Sequence, residues 1–200
     1  MKKIVLNYAM KSISATGEYT EEKLEEIAYG LEAIYLTITK MIVLFGLAII
    51  LNIVKEFLLI LLFYNIIRMN AFGIHASKSI YCLISSTTLF IGGALLCKYI
   101  NIPFYIQIIT SLTALIALVL YAPADTHKRP LINSKKRKKY KILSTLSGII
   151  YVILIITLHN NSIVNYIWLG LIEAVIMILP ITYKIFNLPY NNYKSYNSGV

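Results

Sequence analysis

Charge is scarce in this sequence. Only 14% of its 200 residues are charged and 58% are hydrophobic, against about 25% and about 45–50% in soluble domains. A soluble fold this apolar could not cover its own surface. Acidic residues are scarcer still, nine against nineteen Lys and Arg, for a net charge of +10. Cysteine is limited to Cys82 and Cys97, which excludes a disulfide framework. Fifteen residues apart on one helix-like segment, the two lie about 22 Å from each other, beyond the roughly 7 Å that a bridge tolerates. No internal repeat is evident, so an inverted-repeat transporter is not signalled. No Gly-x-x-x-x-Gly-Lys motif offers a nucleotide phosphate site, and no clean apolar stretch follows Met1 to suggest a signal peptide.

What is present is a series of long uncharged runs. Residues 100–123 and 142–161 hold no Lys, Arg, Asp or Glu, and 161–181 holds only Glu173. Each meets the roughly 20 residues that cross about 30 Å of hydrocarbon as a helix. The pattern predicts an all-α, polytopic transmembrane bundle of about six spans. They fall near 33–54, 57–67, 79–97, 102–121, 142–158 and 162–185, and form one transmembrane domain over 33–186. The second run is too short alone and must extend into the polar stretch 68–74 or sit in a thinned, wet region. Lys55-Glu56 reads as a tight interfacial turn. Residues 1–32 form an N-terminal amphipathic segment, with Thr20 as candidate helix N-cap and Leu24, Ile27, Ala28 and Leu31 at helical spacing. Residues 187–200 read as a polar, disordered tail.

The positive charge is concentrated. Between Asp125 and Lys141 stand eight Lys or Arg and one acid, a net +7. This block excludes nucleic acid as the natural partner, because the charge is not spread over a face. It marks a basic loop, 123–141, on the cytoplasmic side. Counting spans backwards places the N-terminus and residues 68–78 on that same side, and Lys55, Glu56 and Lys98 outside. Lys135, Lys136, Arg137, Lys138 and Lys139 are candidates for contact with anionic lipid headgroups or an acidic substrate segment.

Between Arg68 and Cys82 a histidine, a thiol, a glycine and small polar residues meet at a membrane boundary. A free thiol, with a pKa near about 8.5, needs a base to become a nucleophile. His75 and Cys82 share a face at i and i+7, but on one continuous helix they stand about 10.5 Å apart, too far for proton transfer. A pair therefore requires residues 70–78 to be a loop, which Gly73 permits. Ser77 and Ser79 then offer a helix N-cap, with Cys82 in the first turn, where the helix terminus favours thiolate. On the residues alone two readings stay open: a nucleophile and its base, or a small residue packed between helices and an interfacial histidine. Cys97 reads as packing, and His127 and His159 as solvated. Glu173 lies mid-span, where an ionisable group is costly and usually partnered; Arg68 or a polar side chain is the candidate partner. The alternative functions are a small membrane transporter or peptide exporter without covalent chemistry, and a structural membrane subunit.

Gly73-x-His75-Ala76 followed by Cys82, with Arg68 seven residues before the histidine, resembles the accessory gene regulator protein B (AgrB) family. So do Tyr121-Ala-Pro-Ala-Asp-Thr126 with its following Lys128, Arg129 and Pro130, the run from Lys135 to Lys139, and Gly170-Leu-Ile-Glu173. Gly30-Leu-Glu32 is a weaker match. The resemblance spans about residues 25–185. It departs at Phe72, where the family often carries a glycine or another small residue. It implies a membrane cysteine endopeptidase, without cofactor or metal, in the cell membrane of a Gram-positive bacterium. The implied substrate is an AgrD-like precursor peptide of cyclic-peptide quorum sensing. It also implies Cys82 as nucleophile, His75 as base, Arg68 and Gly73 as residues shaping the site, and a homodimer. Cleavage through a thioester, then ring closure by a thiol of the substrate, would need no ATP.

Overall fold

The computed structural model describes residues 2–15, 17, 19–74, 79–126 and 130–194. Their regular structure is all helical, with one isolated parallel bridge between Phe72 and Ala124. The chain divides into two compact units, Met1–Ile50 and Leu51–Val200.

In the first unit α1 (Lys2–Ser14) packs on α2 (Glu21–Ile50). Thr20 caps α2 as the sequence predicts, its hydroxyl accepting from Lys23 N at 3.4 Å. The expected amphipathic helix and first span are one continuous helix of 30 residues, about 45 Å long. Nothing between Leu31 and Ile50 breaks it, since the change from polar to apolar side chains leaves the backbone ladder untouched.

The second unit opens on a turn that precedes Lys55-Glu56 rather than containing it. Asn52 takes φ +52°, a conformation asparagine tolerates, and Lys98 Nζ donates to its carbonyl at 2.5 Å. Glu56 then lies in the first turn of α3 (Val54–Ala71), where a negative charge suits the helix dipole. α3 runs past the apolar segment to Ala71, which brings it to 18 residues, about 27 Å. The third span is α4 (Ser79–Ser86), a π-helical stretch Thr87–Gly92, and α5 (Gly93–Tyr99). Within it the Ser85 and Thr88 hydroxyls donate to the carbonyls of Cys82 (3.2 Å) and Ile84 (3.0 Å), competing with the regular ladder. α6 (Phe104–Tyr121) follows.

Three expectations require correction. The basic segment 123–141 is a loop only to Asn133, and its second half forms the start of α7 (Ser134–Thr157), capped by Asn133 Oδ1 accepting from Lys136 N at 3.1 Å. The sixth span is broken into α8 (Ile163–Ile176) and α9 (Pro180–Ile185). Leu179 is extended because Pro180 disfavours a helical predecessor, and the Thr182 hydroxyl takes up the carbonyl of Ile176 at 2.5 Å. Residues 187–194 of the tail are held against the 122–125 turn, with Asn192 buried.

Four helical segments are long and apolar enough to cross a membrane: Lys23–Ile50, Ile80–Tyr99, Phe104–Tyr121 and Ser134–Thr157. With α3 and the shorter apolar α8 they make about six spans, as the sequence predicts. Exposed Ile109, Ile116, Leu120, Ile149 and Ile153 on α6 and α7 present the apolar outer face that lipid solvates. Small residues bring helices together. A Cβ on Gly170 would lie 2.9 Å from Tyr64 N, so α8 lies directly on the α3 backbone. Tyr151 of α7 donates to Phe63 O of the same helix at 2.8 Å.

Candidate functional site

The last turn of α3 ends abruptly. Phe72 N still donates to Arg68 O at 3.0 Å, but Phe72 takes φ +57° and Gly73 φ +111°. The second value is one that L side chains rarely adopt. Space is closed as well, because a Cβ on Gly73 would strike the Arg68 guanidinium and Met177 O. The backbone beyond the helix is pinned on two sides. Gly73 N donates to Ala124 O (2.8 Å), Ala124 N to Ala71 O (2.9 Å), and Ile74 N to Met177 O (3.0 Å). Arg68 Nη2 donates back to Ile74 O. The Phe72 ring, bulkier than the family's small residue, stands edge-on to Tyr140 at 4.9 Å. Residues 70–78 were expected to leave the helix as a loop. The described part does so from Phe72.

His75 lies outside the described residues, as do Ser77 and Lys78. Cys82 is half-buried on α4, whose described part begins at Ser79. Across from it Tyr64 of α3 is within electrostatic reach of Arg68, Glu173 and Cys82. The Arg68 guanidinium carbon stands 5.9 Å from the Tyr64 ring centre, and Phe90 packs edge-on against that ring at 5.1 Å. Tyr64 thus joins three of the residues singled out from sequence. It was missed because an aromatic side chain inside an apolar run reads as core.

Glu173 is buried at 4% exposure beside Gly93, and its Oε2 has no hydrogen-bond partner among the described residues. Arg68 Nη1 is likewise unpartnered. The two do not form an ion pair, so Arg68 serves the 72–74 turn instead of Glu173. Cys97 is buried, its thiol 3.5 Å from Asn165 O, in keeping with a packing role. His159 is exposed, and His127 lies outside the described residues.

The basic cluster separates into two roles. Lys135, Lys136, Lys138 and Lys139 are exposed on the first turns of α7. Arg137 is half-buried, stacks over Tyr193 at 3.7 Å, and donates to Leu131 O at 3.4 Å. Arg137, Lys138, Lys141, Tyr121, Tyr190 and Asn191 border a polar cleft of about 310 Å³. Sequence reasoning also missed Asp125, whose carboxylate binds the C-terminal segment. The available signal was a lone acid among eight cations.

Comparison with known proteins agrees with the resemblance. The sequence profile of the family described as accessory gene regulator B matches residues 3–179. The chain is 33% identical over 178 residues to a protein named AgrB-like from Clostridium acetobutylicum, covering 89% of this chain and 85% of that one. It is 30% identical over 176 residues to an AgrB-like protein of Listeria innocua, covering 88% and 86%. It is 33% identical over 184 residues to accessory gene regulator protein B of Staphylococcus aureus strain Newman, covering 88% and 96%. No solved structure matches the chain. A profile match over nearly the whole length, together with these identities, shows that this polytopic membrane protein belongs to the accessory gene regulator B family of the agr quorum-sensing system.

Proposed function

We propose that this chain is a membrane cysteine endopeptidase that cleaves the C-terminal tail from a short AgrD-type precursor and retains the remainder as a thioester for cyclisation. The observation that carries this reading is the place of Cys82. It is half-buried on α4, within electrostatic reach of Tyr64 of α3, which also senses Arg68 and Glu173. The backbone leading into His75 is pinned at Gly73 and Ile74.

In this mechanism His75 takes the proton from the Cys82 thiol. The thiolate adds to the scissile carbonyl carbon. The carbon–nitrogen bond breaks, the imidazolium returns its proton to the leaving amine, and the tail departs. The acyl group remains on Cys82. A thiol within the substrate then attacks this thioester, closes the ring and frees Cys82. One thioester is exchanged for another, so the step needs no ATP. The bilayer boundary limits the water that would otherwise hydrolyse the intermediate. Lys135, Lys136, Lys138 and Lys139 of α7 meet anionic headgroups on the cytoplasmic side.

The test is tail release from a precursor peptide by membranes containing the chain. Cys82→Ala and Cys82→Ser release none while inserting normally. His75→Ala is slower by roughly 10²–10⁴-fold, the usual worth of a general base. Normal release by Cys82→Ala refutes the assignment.

A further inference from the structure

Asp125 is the one acid in the basic segment, yet the residue is 3% exposed and its carboxylate is occupied by backbone donors. Oδ1 accepts from Asn192 N at 3.0 Å. Oδ2 accepts from Tyr193 N at 2.8 Å and from Leu131 N at 3.2 Å. Its own carbonyl receives the Tyr183 hydroxyl (2.9 Å) and Asn192 Nδ2 (3.3 Å). The same tyrosine hydroxyl is 3.2 Å from Ala124 O. Arg137 closes the arrangement, its guanidinium over the Tyr193 ring and its Nη1 on Leu131 O. Three backbone donors, one from nearby Leu131 and two from the C-terminal segment, therefore converge on one side chain.

The next residue back is the one that grips the site. Ala124 N donates to Ala71 O and Ala124 O accepts from Gly73 N. A continuous set of hydrogen bonds thus runs from the C-terminal segment through Asp125 to the end of α3. Side chains that fix a reacting group act through the rigidity of such supports, and a misplacement near 1 Å costs on the order of a hundredfold in rate.

We propose that Asp125 is a positioning residue. It fastens Pro189–Tyr193 and Leu131 to the 122–125 turn and thereby holds Ala71–Ile74, the backbone that leads into His75. This rests on the reading of His75 and Cys82 given above. The segment Pro189–Tyr193 then belongs to the catalytic scaffold.

The experiment uses the full chain in lipid nanodiscs. Alkylation of Cys82 by iodoacetamide is followed from neutral to alkaline pH with Cys97 as internal reference, and kcat and KM for tail release are measured alongside. Asp125→Ala should lower the Cys82 rate at neutral pH by about tenfold, as a weakened base would, with recovery at alkaline pH and no change at Cys97. The loss in tail release should fall on kcat and not on KM. Asp125→Asn, which keeps one acceptor oxygen, should recover part of both. Tyr183→Phe removes only the buried hydroxyl and should act in the same direction, more weakly. It decides the matter if Asp125→Ala does not fold. Wild-type profiles in Asp125→Ala and Tyr183→Phe overturn the proposal. His75→Ala serves as reference. If it alters the Cys82 profile and the Asp125 variants do not, the positioning role falls and the histidine–cysteine pair stands. If His75→Ala leaves the profile unchanged, both fall.

Discussion

Gly73→Ala is the substitution whose effect follows most directly from geometry. Two costs add. A residue with a side chain at φ +111° is strained by about 1–3 kcal/mol. The new methyl group would also occupy the space of the Arg68 guanidinium, so Arg68 must release Ile74 O. A hydrogen bond from a charged donor contributes about 1.5–3 kcal/mol. Together the native turn loses about 2.5–6 kcal/mol, and each 1.4 kcal/mol is about tenfold in population. The turn would be populated at least about sixtyfold less, while the spans that determine insertion are untouched. Tail release from a precursor peptide, measured at equal amounts of inserted protein, should fall by at least about sixtyfold. Thermal unfolding of the membrane domain should shift little, because the strained turn opens locally. Arg68→Ala already forfeits the hydrogen bond to Ile74, so adding Gly73→Ala should cost less than the sum of the single losses, a coupling that a double-mutant cycle detects. Gly73→Ala with release within about threefold of wild type, or strict additivity with Arg68→Ala, refutes the reasoning.

Three further outcomes are expected. Gly170→Ala places a methyl against the backbone of Tyr64, which cannot move aside; overpacking of this kind costs about 1–3 kcal/mol and should lower the thermal midpoint in detergent. Glu173→Gln keeps the shape and removes the charge from an oxygen that has no donor, so stability should be unchanged or raised, and a marked fall would reveal a partner for the carboxylate. The orientation proposed from the Lys and Arg bias puts the lysine-rich start of α7 on the cytoplasmic side, so a cysteine in place of Ser134 should resist an impermeant thiol reagent applied outside intact cells; strong labelling contradicts that orientation.

The spans were legible because hydropathy and helix length are local properties, and the same holds for Thr20 as a cap. The departure of the chain from α3 was legible as well, because Gly73 permits a backbone that a helix does not. The break in the sixth span was also signalled, by Pro180, but length and apolarity argued for one helix and the proline was read through. The continuity of α2 was hidden for the opposite reason, because the polarity of its side chains changes midway while its backbone has no cause to stop. What could not be read was the clamp at Asp125. It joins backbone N–H groups of Asn192 and Tyr193 to an acid more than sixty residues earlier, and such tertiary hydrogen bonds leave no periodicity. A tail rich in Asn and Tyr looks disordered until the buried carboxylate that orders it is known.

The thioester on Cys82 can be sought directly. Wild-type protein given a precursor whose ring-closing residue is alanine lacks the second nucleophile, so the acyl-enzyme should accumulate. Intact-mass measurement should show the chain heavier by the tail-less peptide, with the adduct on Cys82, absent in Cys82→Ala and released by hydroxylamine. The same adduct on Cys82→Ala, or unimpaired tail release by that variant, would contradict the assignment of Cys82 as nucleophile.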